Sequence, residues 1–144
     1  MKKYIFTLLL IALSSIVSAQ ETEIKKSITT FFEGMHSRDT IKIKSVCNAP
    51  LLLQSVSSKN GKTMLQNESS NDFYKSIAAI PADMKIEERL LDYKIQYDGA
   101  MAHVWIPYEF YINGKLSHKG VNSFQLYNDN GIWKITYIID TRRK

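Results

Sequence analysis

Glu109 and His118, a carboxylate and an imidazole, lie on either side of the dipeptide Asn113-Gly114. Asn-Gly between alternating runs is a two-residue hairpin turn. Counting outward from Ile112 against Lys115 then sets Glu109 directly opposite His118, Trp105 opposite Asn122, and His103 opposite Phe124. Carried across Asp129-Asn130, the same face gains Trp133, Ile135, Tyr137 and Ile139. A buried carboxylate or imidazole has to be paired, because desolvating it alone is costly. Two readings of the Glu109–His118 pair follow. In one it is a structural pair at a wet rim, worth little. In the other it anchors a ligand in an apolar pocket or moves a proton, with Tyr93 or Tyr137 donating to a developing oxyanion. Tyr93, Trp105, Glu109, His118, Asn122 and Tyr137 are therefore the candidate ligand-binding residues. Glu109 and His118 are the catalytic candidates if the protein is an enzyme.

Other chemistries have less support. The three histidines, His36, His103 and His118, and the single Cys47 show no metal-ligand spacing. There is no Gly-x-Ser-x-Gly elbow and no phosphate-cradling glycine loop, so neither a metal nor a cofactor is expected. Cys47 falls in an apolar helical pattern and reads as a buried, inert thiol. His36 reads as a solvated partner at a helix end. Arg142-Arg143-Lys144 reads as a solvated basic tail.

The elements that must position these residues are helices first and strands last. Ile24, Ile28, Phe31, Phe32 and Met35 recur at helical spacing and make one apolar stripe. Asp39 or Thr40 can cap a second, shorter helix carrying Ile43, Val46 and Cys47, with Pro50 beyond it. Leu51 to Val56 and Lys62 to Gln66 read as short strands around Asn60-Gly61. Ser69 and Asp72 resemble a capping box for a helix holding Phe73, Ile77 and Ile80. Four strand runs follow, Ile86–Tyr97, Met101–Ile112, Lys115–Tyr127 and Ile132–Asp140, separated by hairpin turns. A three-residue loop at Asp98-Gly99-Ala100 brings Tyr93, Ile95 and Tyr97 inward and sets Arg89 opposite Glu109. Ten of the sixteen aromatic residues lie between Tyr93 and Tyr137, so rings furnish the sheet. Ile106, Tyr108, Phe110 and Val121 fall on the opposite face, where an apolar patch would suit an interface.

The N-terminus carries Lys2 and Lys3, an apolar run from Tyr4 to Val17, and Val17-Ser18-Ala19. That is the pattern of a secretory signal peptide over residues 1–19, cut after Ala19, and it points to a periplasmic or secreted protein. The remaining residues 20–144 suit one domain. They carry 17 basic and 14 acidic side chains, too mild an excess for a nucleic-acid footprint. No membrane association is expected after cleavage.

The order of elements resembles the nuclear transport factor 2-like superfamily, including its exported lumazine-binding-like and polyketide-cyclase-like small domains. The residues that carry the resemblance are Phe31-Phe32 followed by Arg38-Asp39, Ala102-x-Val104 after Asp98-Gly99, and Gly131-x-Trp133-Lys134-Ile135. The resemblance implies an α+β domain: a cone of curved antiparallel sheet, made of the four-strand meander and a short hairpin, covered by about three helices, with a pocket inside. It also implies frequent homodimers. It does not imply a reaction, since this fold hosts enzymes and non-enzymes. The expectation is an exported domain binding a small apolar or aromatic molecule. The alternatives are an isomerase- or dehydratase-type enzyme that uses the same pocket, and a dimerising interaction domain.

Overall fold

The computed structural model describes residues 2–144 along the backbone and residues 19–144 with their side chains. Apart from Ala19, the side chains of the expected signal segment lie outside the described residues.

Helix α1 runs over Lys2–Ser37, and its apolar stripe packs as the periodicity requires. Ile24, Ile28, Phe31, Phe32 and Met35 are all buried in the main core. Burying side chains of this size contributes roughly 1.5–3 kcal/mol each. Helix α2, Thr40–Ser45, starts at Asp39, whose Oδ1 accepts from the backbone N–H groups of Ile41 and Lys42 at 3.0 and 2.9 Å. Gly34 lets this short helix close on α1: a Cβ there would stand 2.6 Å from Ile43 Cγ1.

The expected second helix stops sooner than its apolar pattern suggests, because Cys47 already belongs to a strand. Strand β1, Cys47–Lys59, pairs in parallel with the last strand, Cys47 facing Ile135. It turns at Asn60-Gly61 into β2, Lys62–Glu68, an exposed edge strand. Helix α3, Ser70–Ala78, is capped by Ser69, whose Oγ accepts from the Asp72 N–H at 3.1 Å.

The run expected as one strand over Ile86–Tyr97 is two. Strands β3, Ile86–Leu90, and β4, Lys94–Asp98, both pair with β5, Met101–Ile112. The break lies opposite Pro107, which has no N–H to give a ladder; its carbonyl accepts from Leu91 N–H at 2.9 Å. Strands β6, Lys115–Asp129, and β7, Ile132–Arg143, complete a seven-stranded, curved and unclosed sheet. Its order is β2-β1-β7-β6-β5-β3, with β4 also on β5. All pairings except β1 with β7 are antiparallel. Together with the three helices this is an α+β architecture.

Two register shifts decide which side chains face the helices. Between β5 and β6, Tyr111 faces Leu116 but Phe110 faces His118, leaving Ser117 as an extra residue. From there on β5 turns Phe110, Tyr108, Ile106, Val104 and Ala102 inward, opposite the face expected from uninterrupted counting. Ile106, Tyr108 and Phe110 are thus interior residues and cannot form an outer interface; Val121 does lie on the outer face. Between β6 and β7, Leu126 faces Ile135 but Gln125 faces Tyr137, so Thr136 is the extra residue. Trp133 and Ile135 face in as expected, while Ile138, Asp140 and Arg142 replace Tyr137 and Ile139 on the inner side. Arg89 does face Glu109, but not through a three-residue loop: Asp98 pairs with Met101, so the turn is Gly99-Ala100, and the break after Leu90 restores the register. Tyr93, Ile95 and Tyr97 do pack against the core.

Candidate functional site

A cavity of about 300 Å³ lies between α1, α3 and the inner face of the sheet. That is the lower end of the range for small-molecule sites. Its apolar wall is built from the second half of the α1 stripe and from the sheet. Phe124 on β6 meets Phe31 and Phe32 edge-on, with ring centroids 6.2 and 6.0 Å apart. Phe73 of α3 stacks on Phe31 at 5.9 Å. Phe110 lines the far side and stacks on His118 at 5.0 Å.

The polar wall comes from three strands whose alternation points a hydrophilic residue into an apolar face. On β3, Ile86 is buried and Glu88 follows at the same phase. Asn122 of β6 is 5 % exposed, and its Nδ2 donates to Glu88 Oε1 at 2.6 Å. Desolvation at the cavity wall pushes the Glu88 carboxyl up to about 7; the Asn122 hydrogen bond opposes that, and the charge of Asp140 adds to it. The Glu88 backbone is pinned by His36 at the end of α1, whose Nε2 accepts from the Glu88 N–H at 2.8 Å. His36 is thus half-buried and structural, not a solvated cap partner. Burial lowers its pKa, which keeps the accepting nitrogen free of a proton.

Asp140 is the second acidic centre. It accepts from Ser55 Oγ, from Tyr108 Oη at 3.1 Å, and from Arg142 Nε at 2.9 Å. Arg142, expected in a solvated tail, therefore extends β7 and lines the cavity. The Tyr108 hydroxyl also lies 3.0 Å from the Thr141 carbonyl. Burial, then the Asp140 charge, drives the Tyr108 pKa upward, so the ring stays a phenol and a donor. Gly120 makes this possible: a Cβ there would stand 2.6 Å from Tyr108 Cε1. His118 completes the wall, with its pKa lowered by burial and by Arg142.

Of the residues expected from the sequence, His118 and Asn122 line the cavity together. Glu109 does not face His118. It faces Lys119 on the outer side, where Lys119 Nζ lies 2.8 Å away and Tyr111 Oη donates at 2.8 Å. The Lys119 hydrogen bond holds its carboxyl below the usual range, the reverse of what a proton-transfer base needs. Trp105 is on the same outer face and 43 % exposed. Tyr137 is on the outer side too, donating to Gln54 Oε1. Tyr93 packs on the core, with Lys25 Nζ 5.8 Å from its ring centroid, and does not line the cavity. Glu88, Tyr108, Asp140 and Arg142 were missed. The signal for Glu88 was present as Ile86-x-Glu88-x-Leu90, a carboxylate at period two between apolar residues.

Cys47 is buried in the core and does not line the cavity, and its thiol is pushed up to about 12 by burial. That leaves it no nucleophilic form near neutral pH. Among the described residues no cluster of three His, Cys, Asp or Glu side chains could hold a metal ion.

No protein-family model matches the chain, and no curated protein does. Solved structures do. An NTF2-like protein of unknown function from Shewanella baltica superposes with a TM-score of 0.64 at 14 % identity, over 88 % of this chain and 96 % of that one. A candidate dehydratase of the NTF2-like family from Streptomyces avermitilis gives 0.64 at 16 % identity, over 88 % and 98 %. A cystatin-like protein of unknown function from Nostoc punctiforme gives 0.66 at 11 % identity, over 85 % and 90 %. At these identities the likeness is one of backbone architecture over 85–88 % of this chain. The chain has the nuclear transport factor 2-like fold.

Proposed function

We propose that this protein is an exported domain that binds a small, largely apolar or aromatic molecule in the cavity between α1, α3 and the sheet. The observation that carries this reading is the division of the cavity wall. Phenylalanine rings form one side, and the Glu88–Asn122 and Asp140–Tyr108–Arg142 groups converge on the other. Few polar groups in an apolar enclosure fix a ligand's orientation while burial supplies affinity. Export rests on the N-terminal pattern of Lys2-Lys3, the apolar run and Val17-Ser18-Ala19.

A second reading is favoured by one feature, the raised pKa of Glu88. A carboxyl near 7 exchanges its proton at neutral pH, which is what general acid–base catalysis asks of a group. On that reading Glu88 is the base, replacing Glu109, and Tyr108 is the hydroxyl donor of the same wall. The Streptomyces protein's assignment as a candidate dehydratase is compatible with it.

Titration with small aromatic fragments, followed by protein-observed NMR, tests the binding reading. Shifts confined to the Asn122 side-chain amide and the Phe31 and Phe110 rings are expected, with the Trp105 indole N–H unmoved. Shifts at Trp105 with none at Asn122 would place binding on the outer face and refute the proposal.

A further inference from the structure

The charges around the cavity oppose the charge of the chain. The whole sequence carries a formal net charge of +5, yet the cavity is lined by three carboxylates, Glu68, Glu88 and Asp140, and by one fixed cation, Arg142. The charge of Arg142 is balanced within the wall: its Nε lies 2.9 Å from Asp140 Oδ2. Asp140 is further satisfied by Tyr108 and Ser55. Glu88 differs. One of its oxygens accepts from Asn122, whereas the other makes no hydrogen bond among the described residues; the Arg142 charge reaches it but forms no direct ion pair with it. A desolvated carboxylate with an open oxygen is an unfavourable arrangement on its own, and an incoming cation would relieve it. The wall around it favours the same partner, since aromatic rings attract ammonium groups and the rings of Phe31, Phe110 and Phe124 line the space.

We propose that the cavity selects cationic ligands, in the form of a protonated amine on an aromatic or apolar body. The ammonium sits at the open oxygen of Glu88 and the body lies among the phenylalanines. This rests on the binding reading above and gives it a ligand class. The competing possibility, an organic anion held by the terminal nitrogens of Arg142, would have to enter a site where carboxylates outnumber guanidinium groups and where the Arg142 charge is balanced by Asp140.

The test uses three probes of matched size, phenethylamine, phenethyl alcohol and phenylacetate, titrated calorimetrically into the purified protein near pH 8, above the raised Glu88 value of about 7. The amine should bind at least about tenfold more tightly than the alcohol, and phenylacetate should bind least. In Glu88→Gln the ratio of amine to alcohol affinity should fall to about twofold or less. An unchanged circular dichroism spectrum and a cooperative thermal transition show that the variant is folded; Glu109→Gln, on the outer face, should keep the full amine preference. If the alcohol or the acid binds as well as the amine, the cation inference fails and the binding reading stands. If an amine preference survives Glu88→Gln, the assignment to Glu88 is overturned. If none of the three binds, both fail.

Discussion

The backbone N–H of Glu88 donates to His36 Nε2 across 2.8 Å, which ties the end of the first helix to the strand that carries the cavity's open carboxylate. The bond requires a neutral imidazole. It couples the phase of the apolar stripe on α1 to the position of Glu88, one member of the polar wall.

Acid should therefore loosen this junction. Burial lowers the His36 pKa below 6.5 in the folded protein, so the unfolded chain takes up the proton first. The stabilising contribution is present above 6.5 and is lost as pH falls through that value toward the folded pKa. His36→Gln, which keeps an acceptor, should remove this part of the acid loss. His36→Leu leaves the Glu88 N–H unpaired and should cost about 1–3 kcal/mol at neutral pH. Urea unfolding of the three proteins between pH 5 and 8 measures both effects, and parallel stability curves for wild type and His36→Gln would contradict the assignment.

Glu88 should act in the opposite sense. Its folded pKa is raised from 4.5 to about 7, so the folded state holds the proton more tightly. Its contribution is fully present below 4.5 and is lost as pH rises through about 7. Relative to wild type, Glu88→Gln should gain stability as pH rises across this window, by about 3 kcal/mol in all. A gap that does not change with pH would show that Glu88 titrates normally.

Gly120 should not tolerate a side chain. The Tyr108 ring crosses directly over it to reach Asp140 and Thr141, and Tyr108 Oη would lie 2.7 Å from an added Cβ. The Thr141 carbonyl oxygen would lie nearer still, 1.8 Å from that Cβ, so the β7 backbone must also shift and Gly120→Ala is expected to cost at least about 3 kcal/mol, the upper end for overpacking. It should also release the Tyr108 hydroxyl, seen as a fall of its pKa toward the ordinary tyrosine value in an ultraviolet titration.

Outer-face residues should be silent in the cavity. Glu109→Gln removes the partner of Lys119 and Tyr111 and leaves the cavity wall untouched. Fragment shifts at the Asn122 amide should be the same in Glu109→Gln as in wild type, and altered in Glu88→Gln. An effect of Glu109→Gln on those shifts would mean that the two faces communicate.

The sequence made the elements legible and the site only in part. The α1 stripe, the Asp39 cap and the meander were readable because helical periodicity, capping oxygens and Asn-Gly turns act locally. The cavity wall was half readable. Counting from Asn113-Gly114 placed His118 and Asn122 on the inner face of β6, but it carried Glu109 and Trp105 inward on β5. The one extra residue at Ser117 reverses the relation between the two strands, and a second at Thr136 exchanges Tyr137 for Ile138 and Asp140. Nothing in the identity of a serine or threonine marks a bulge. Burial offered a better guide: Tyr108 is 2 % exposed and Trp105 is 43 %, as expected if Val104, Ile106 and Tyr108 form the apolar phase of β5. Glu88 and Asp140 were passed over because a carboxylate in a strand normally faces water.

The most direct test of the cavity as a ligand site is native mass spectrometry of the protein, purified gently from its own host. A reproducible bound mass that persists in Trp105→Ala and is lost in Phe110→Ala or Glu88→Gln is the result expected. A protein found only at its apo mass, or a bound mass lost in Trp105→Ala and kept in both inner-face variants, would contradict the account.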